Sequence, residues 1–373
     1  MQVEGGIENN DWAEAERRGK TPPIGKACDF YNRYESDLDI AKSLNLNTFR
    51  FSVEWARIEP EEGKFDEKEL EHYRALVKAV RERGMEPFVT IWHFSLPMWF
   101  VDAGSFGRKN APQIFARYAA KVTEAFGSDV RFYITMNEPM VWLGEHGRIM
   151  GASPGFWPNP FMGLRYLSQL EKSHREAYRA MKQVNKDAQI GIAKHNLAFV
   201  GTNIFGKSVA VLSRYFWNRA FFSVASAPQD FIGLQFYQRI YYWQSAKERR
   251  EVRRSDIGWQ MHPGAVYEIL MEAAQDKLPI YITETGVADA KDQYRSWFIY
   301  ETLKSVHRAC EDGACIKGYL HWSLLDNYEF TFGFRMRFGL VEVNHETQER
   351  KVRESAKKYA EVAKSGILPN EAF

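Results

Sequence analysis

The sequence predicts an α/β fold, a TIM barrel of the (β/α)8 type in shortened form, that occupies residues 1–373 as a single domain. Short apolar segments alternate with longer segments of helical periodicity along most of the chain. This alternation is typical of a parallel sheet with right-handed crossovers. A doubly wound open sheet is the alternative, but no glycine-rich nucleotide-binding motif accompanies the alternation.

The predicted elements follow one another as strand and helix. A helix at about 30–44 leads to a strand at 48–53, and Asp66 with Glu69 forms a capping pair for a helix that ends at Gly84. Residues 1–28 are rich in turn-forming residues and are predicted to be irregular. The other predicted strands lie at 87–93, 130–138, 190–193, 231–236, 280–283 and 316–322, and the other helices at 111–126, 163–185, 204–222, 263–275, 291–310 and 351–364. These are seven strands, whereas a closed barrel of this type has eight.

The composition excludes several classes of partner. The net charge is +2, with 50 basic and 48 acidic residues, which gives no electrostatic case for nucleic acid or an anionic membrane. No apolar segment approaches the length of a membrane span, and the amino terminus does not resemble a signal peptide. The three cysteines form no metal-like cluster and favour a reduced, cytoplasmic protein.

Two glutamates stand at the ends of predicted strands. Pro139 follows Glu138 and ends its strand because proline has no backbone N–H. Glu284 ends the strand at 280–283 in the same local context, an apolar segment, a threonine and then the glutamate. Either residue alone is more typical of a cap or a salt bridge than of catalysis. Because the carboxyl ends of barrel strands face one cleft, the pair indicates a functional site.

The segments around these glutamates resemble the signatures of family 1 glycoside hydrolases, the β-glucosidase and β-galactosidase family. They read Thr-Met-Asn-Glu-Pro at 135–139 and Ile-Thr-Glu-Thr-Gly at 282–286. The resemblance extends over nearly the whole chain, because further segments match the family in the same order. These segments are 2–5, 49–58, 93–97, 230–237, 258–259 and 322–329.

The resemblance implies a retaining, double-displacement mechanism. Glu138 corresponds to the general acid/base and Glu284 to the nucleophile, with their carboxyl groups expected roughly 5–5.5 Å apart. Glu138 should be protonated in the free enzyme and Glu284 ionised. Arg50 is expected to hold Glu284 in its charged form, and Tyr237 to hydrogen-bond the same carboxylate. No metal or other cofactor is implied.

The resemblance also implies a set of sugar-binding residues. Asn137 corresponds to the residue that contacts the sugar 2-hydroxyl, and Trp322 to the ring beneath the sugar. From the residues alone, core packing at the barrel mouth is the less favoured alternative for Trp322 and Tyr237. For His93, a neutral buried histidine is as good an interpretation as a sugar-binding residue. A carboxylate at Glu329, with no phosphate-binding set of side chains, favours unphosphorylated β-glucosides, β-galactosides or β-fucosides. The full predicted set is Gln2, His93, Asn137, Tyr237, Trp322 and Glu329.

Several departures from the family pattern affect the expected specificity. Thr285 stands where the family usually has Asn, Gln235-Phe236 where Asn-Tyr is common, and Phe330 where Trp often follows the glutamate. The intervals from Glu138 to Tyr237 and from Glu284 to Trp322 are short for the family. We therefore expect trimmed loops, an open cleft and loose leaving-group specificity.

The family also has a strand directly before the segment at 2–5, and here only Met1 precedes it. We therefore expect the first barrel strand to be missing, with a gap between the family's second and eighth strands. Unpaired edges associate readily, so a homo-oligomer or a weakly stable monomer is expected. Two alternatives to a hydrolase remain at this point: a weakly active or inactive sugar-binding barrel, and net transglycosylation by the same residues.

Overall fold

A parallel sheet of seven strands forms the centre of the protein. The computed structural model describes residues 1–153, 155, 159–220, 228–245 and 252–370. The strands lie in sequential order from β1 to β7, and every neighbouring pair is parallel. They are β1 (Thr48–Ser52), β2 (Glu86–Trp92), β3 (Phe132–Asn137), β4 (Gln189–Gly201), β5 (Phe231–Tyr242), β6 (Ile280–Glu284) and β7 (Ile316–Tyr319). The predicted α/β barrel architecture is thereby confirmed.

Helices connect the strands. In chain order they are α1 (Asp11–Arg17), α2 (Phe30–Ser43), α3 (Trp55–Ile58), α4 (Glu67–Glu82), α5 (Met98–Asp102), α6 (Ala111–Phe126), α7 (Pro139–Val141), α8 (Gly147–Met150), α9 (Pro160–Val184), α10 (Ile204–Arg214), α11 (Val266–Ala274), α12 (Arg295–Glu311) and α13 (Glu354–Ser365). An antiparallel pair, β8 (Val341–Val343) and β9 (Arg350–Val352), precedes the last helix. Among the described residues no helix is both long enough and apolar enough to cross a membrane.

Helix α4 shows how the sequence sets these elements. The Asp66 side chain accepts hydrogen bonds from the backbone N–H groups of Lys68 at 2.8 Å and Glu69 at 3.3 Å, which caps the helix. Apolar residues at helical spacing then turn one face toward the sheet. The buried side chains of that face are Leu70, Tyr73, Leu76, Val77, Ala79 and Val80.

The structure corrects some of the predicted bounds. Residues 1–28 were expected to be irregular, but α1 forms there because the Asn10 side chain caps the Ala13 N–H and Trp12 is fully buried. Strands β4 and β5 continue well beyond 190–193 and 231–236, because they pair with each other to their ends. The strand predicted at 316–322 ends at Tyr319. In the helix predicted at 204–222, the α-helical part ends at Arg214, a π-helical turn follows to Ala220, and positions 221–222 lie outside the described residues.

The sheet does not close. In the described part of the chain β1 pairs only with β2 and β7 only with β6, so these two strands are free edges. The expected opening in the barrel is therefore confirmed there. The outer side of the opening is flanked by a cluster of buried side chains from the C-cap of α2, from α12 and α13, and from the residue before β8: Leu44, Ile299, Leu340, Ala356, Tyr359 and Ala360.

Candidate active site

Glu138 lies directly after the last residue of β3. Its backbone has a left-handed conformation with φ of +41°, and its N–H donates to the Ala193 carbonyl at 2.8 Å. The side chain is 8% exposed, and its Oε1 has no hydrogen-bond partner in the described residues. Burial raises the pKa of this carboxyl well above its usual range, and the negative charge of Glu284 raises it further, against the opposing effect of Arg50. These surroundings favour the protonated form of the Glu138 carboxyl.

Glu284 is the last residue of β6 and has the opposite environment. Its Oε1 accepts from Arg50 in a buried ion pair, and its Oε2 accepts from the Tyr237 hydroxyl at 2.7 Å. Both contacts were expected from the sequence. Burial and the Glu284 charge raise the pKa of Tyr237 well above its usual range, so its hydroxyl remains a donor. The buried Glu284 carboxylate thus accepts hydrogen bonds from a cation and from a hydroxyl, one at each oxygen.

Arg50 links four strands at the carboxyl end of the sheet. From β1 it donates to Thr90 on β2 at 3.1 Å, to the Asn137 Oδ1 on β3 at 2.6 Å and to the Thr283 carbonyl on β6 at 3.3 Å. Its remaining contact is the ion pair with Glu284. Because guanidinium is planar and its donors are fixed, this network sets the position of the Glu284 carboxylate relative to Asn137.

The amide of Asn137 is oriented by its neighbours. Its Oδ1 accepts from Arg50 and from the Gln235 Nε2 at 2.9 Å, so its Nδ2 is directed to the other side, 3.2 Å from the His93 Nε2. Burial, and then the Arg50 charge, lower the pKa of His93 well below its usual range. A neutral ring that accepts at Nε2 carries its proton on Nδ1.

Gln235 is a residue whose contribution the sequence did not reveal. It was noted only as a departure from the family pattern, and no role was inferred. The available signal was its spacing, because Gln235 and Tyr237 are two positions apart on β5 and share one face of the strand.

The remaining predicted residues lie around the same cleft. The Trp322 Nε1 donates to the Glu329 Oε1 at 3.0 Å, and the Trp322 ring centroid is 5.9 Å from that of His93. The Gln2 side chain donates to the Asn327 Oδ1 at 3.3 Å. Burial raises the pKa of Glu329 to about 8. This carboxyl is therefore mostly protonated at neutral pH, which weakens the expected charge repulsion of a sugar 6-phosphate.

The departure at Phe330 changes the polarity of one wall of the cleft. The Phe330 ring packs against Trp12, Phe94 and His146, at centroid separations of 4.6, 5.2 and 4.8 Å. A phenyl ring presents no N–H to a ligand. His146 was not singled out in the sequence, and burial lowers its pKa to about 4. This wall is therefore uncharged and aromatic.

Among the described residues, the site combines a buried carboxyl whose Oε1 has no hydrogen-bond partner, Glu138, with a buried carboxyl paired to an arginine, Glu284. Such a pair can protonate a leaving oxygen and attack the carbon that carries it, which is the chemistry of glycoside hydrolysis. Among the described residues no group of three His, Cys, Asp or Glu side chains is arranged to hold a metal ion. The fold and the site thus define a glycosidase.

The protein belongs to glycosyl hydrolase family 1, whose sequence profile matches residues 12–203 and 217–367. It is 29% identical to β-glucosidase A of Thermotoga maritima, over 92% of this chain and 88% of that protein. It is 30% identical to the β-galactosidase of Pyrococcus woesei, over 87% of this chain and 84% of that protein. The structure of a β-glycosidase from Pyrococcus horikoshii superposes with a TM-score of 0.89 at 32% identity, covering 99% of this chain and 93% of that one. The protein is thus a β-glycosidase of family 1.

Replacing Arg50 with Met is expected to destabilise the protein by about 3–5 kcal/mol, because it leaves the Glu284 carboxylate buried without its cation. The Arg50 side chain is only 7% exposed. Urea unfolding measures the effect. The matched control is Arg17→Met, which removes an exposed pair with Glu14 and should leave the free energy of unfolding nearly unchanged because solvent screens such a pair. Equal effects of the two substitutions would contradict the role given to the buried pair.

Proposed function

We propose that the protein, as one catalytic domain, is a retaining β-glycosidase that releases the terminal sugar of small, unphosphorylated β-glucosides, β-galactosides or β-fucosides. One observation carries the proposal: the two buried carboxyls have opposite surroundings. Among the described residues the Glu138 Oε1 has no hydrogen-bond partner, whereas Glu284 is paired with Arg50. Double displacement needs this division of roles between an acid and a nucleophile. The names of the relatives, β-glucosidase and β-galactosidase, support both sugar classes.

In the first step the Glu284 carboxylate attacks the anomeric carbon. The bond from that carbon to the leaving oxygen breaks as the Glu138 carboxyl gives its proton to the oxygen. The products are an alcohol and a glycosyl ester on Glu284. Tyr237 and Arg50 hold the attacking oxygens in place before the bond forms.

In the second step Glu138 acts as a base. Esterified Glu284 carries no charge, so one of the two main causes of the raised pKa of Glu138 is removed and its carboxylate becomes more stable. Glu138 takes a proton from water, the water oxygen attacks the anomeric carbon, and the ester bond to Glu284 breaks. A sugar hydroxyl in place of water gives transglycosylation with the same residues.

We assign Gln2, His93, Asn137, Trp322 and Glu329 to the sugar. The oriented Asn137 amide leaves an N–H that can donate to the 2-hydroxyl, and a ring such as Trp322 can stack beneath the pyranose. Cytoplasmic action is supported by the free thiols of Cys28, Cys310 and Cys315, since reducing compartments keep thiols unpaired.

Gln235→Leu is expected to lower kcat/KM on p-nitrophenyl β-glucoside by about 10-fold, the size of one lost hydrogen bond that fixes a polar group. The substitution removes one of the two hydrogen bonds that the Asn137 Oδ1 accepts, so the amide loses its fixed orientation. The matched measurement uses the 2-deoxy glycoside, on which Gln235→Leu should have little effect because that sugar has no 2-hydroxyl. An equal loss on both substrates would show that Gln235 does not act through this contact.

A panel of p-nitrophenyl β-glycosides tests the proposed activity. Wild-type protein should hydrolyse the β-glucoside, β-galactoside or β-fucoside. Saturable sugar binding without turnover on the whole panel would instead establish a sugar-binding barrel and overturn the proposal.

A further inference from the structure

Helix α10 turns its large apolar side chains away from the rest of the protein. The residues that it buries are two small ones, Gly206 and Ala210. A surface helix normally buries its large apolar side chains, so the arrangement in α10 is reversed. The large apolar side chains that point outward from α10 and from the residue after it are those of Ile204, Phe205, Val211, Leu212 and Tyr215, which are 64–76% exposed.

The reversal follows from how closely α10 lies on the sheet. Strands β4 and β5 pair with each other as far as Gly201 and Tyr242, whereas their last pairs with β3 and β6 are at Ala193 and Gln235. The two strands therefore form an extension at the carboxyl end of the sheet. A Cβ added to Gly201 would lie 1.9 Å from the carbonyl carbon of Gly206. Only small residues allow this approach, so the large side chains of α10 face outward.

Trp243 adds to the same surface. Its ring lies beside Gly206 of α10, and the residue is 56% exposed. We call this surface the outer face of α10, and its members are Ile204, Phe205, Val211, Leu212, Tyr215 and Trp243.

The outer face has the area that an interface between protein chains needs. With about 150–250 Å² for a whole aromatic side chain and less for an aliphatic one, its exposed apolar area is roughly 600 Å². This value is at the upper end of the range for the largest apolar patch of a monomer, about 300–600 Å². A stable interface covers about 800 Å² of each partner, of which about 450–520 Å² is apolar. The outer face alone supplies that apolar share.

The charges beside the outer face indicate which occupant it fits. Arg219 pairs with Asp276 at 2.9 Å, and Arg214 lies 4.0 Å from Glu272. Lys207 is the other basic residue of α10, and the helix contains no acidic residue. A helix that binds an anionic membrane surface normally carries many Lys and Arg residues on its polar face. A nearly neutral, apolar and aromatic face instead suits a second copy of itself, because little like charge opposes the contact.

We propose that the outer face of α10 is the contact surface of a homodimer, in which the same face of a second copy packs against it across a two-fold axis. The contact covers Phe205 and Leu212 with apolar side chains of the second copy. It lies at the end of the sheet that carries the candidate active site. This location differs from the free edges of β1 and β7, through which the sequence led us to expect association.

Sedimentation velocity tests the dimer. At about 10 µM the wild-type protein should be mostly dimeric, and Phe205→Glu and Leu212→Glu should each raise the Kd of the dimer at least about 10-fold, because each places a charge in an apolar contact. The matched control is Ile367→Glu. Ile367 is 69% exposed, against 70% for Leu212, and it follows the last helix, outside the outer face of α10. This variant should remain dimeric, and all three should keep the circular dichroism of the wild type.

Three results would overturn the proposed contact. The first is a wild-type protein that stays monomeric up to about 100 µM. The second is a dimer that both α10 variants leave unchanged, or that Ile367→Glu weakens equally, since the contact would then lie on another surface. The third comes from vesicles of phosphatidylcholine and phosphatidylserine: a monomeric wild-type protein that binds them, with binding lost in Phe205→Glu and Leu212→Glu, would assign the outer face to lipid.

Discussion

Glu138→Gln is expected to lower kcat/KM by about 10²–10⁴-fold on β-glycosides with poor leaving groups, the usual contribution of a positioned acid. Glutamine keeps the size of the side chain and cannot give up a proton. With a 2,4-dinitrophenyl leaving group the first step needs no acid, so the glycosyl ester should accumulate and kcat and KM should fall together. Steady-state kinetics on both substrates measures this difference. Equal losses on the two leaving groups would argue against Glu138 as the acid.

The pH profile gives a control for the same residue. Activity should be lost as pH rises through the raised pKa of Glu138, because the acid is then deprotonated. Glu145 contributes negative charge that raises this pKa, so Glu145→Gln should move the basic limb of kcat/KM to lower pH with little change at the optimum. An unmoved limb would mean that another group controls it.

Glu284→Gln is expected to lower kcat by about 10⁴-fold or more on every substrate, as happens when a nucleophile that works with its partners is removed. Unlike the Glu138 variant, it should show no rescue by a better leaving group. It should also lower the pKa of Glu138, since the charge that raises that pKa is gone. Carbon-13 titration of labelled glutamate measures the second effect.

Glu272→Gln is the matched control for Glu284. Glu272, like Glu284, is a glutamate paired with arginine, but it is only partly buried and lies on α11, outside the site. Its replacement should leave kcat unchanged. In the wild type, a 2-deoxy-2-fluoro glycoside with an activated leaving group should produce a stable adduct on the peptide that contains Glu284. Wild-type rates in Glu284→Gln, or an adduct on a different residue, would remove Glu284 as nucleophile.

The sequence predicted the parts of the site that depend on strand ends and motifs. Glu138 and Glu284 were found because each ends an apolar strand, and Arg50 because it lies on a neighbouring strand. The open sheet followed from counting seven strands where a closed barrel has eight. A strand end or a motif depends on residues that are close together in the chain, and the number of strands is a count of such segments. These features can therefore be predicted from a single sequence.

The features that the sequence did not predict depend on contacts between distant segments. The orientation of the Asn137 amide requires Gln235, which is distant in sequence and reaches it from another strand. Helix α1 is short, and it is stable because Trp12 is buried in the main core. The extensions of β4 and β5 exist because the two strands pair with each other. The helix and strand propensities of the residues do not predict such contacts.

Proton NMR of the first sugar released from a β-glycoside tests the central claim most directly. Double displacement through a Glu284 ester inverts the anomeric carbon twice, so the β-anomer should appear first and the α-anomer only later, by mutarotation. Initial release of the α-anomer would mean a single displacement by water and would contradict the roles proposed for Glu138 and Glu284.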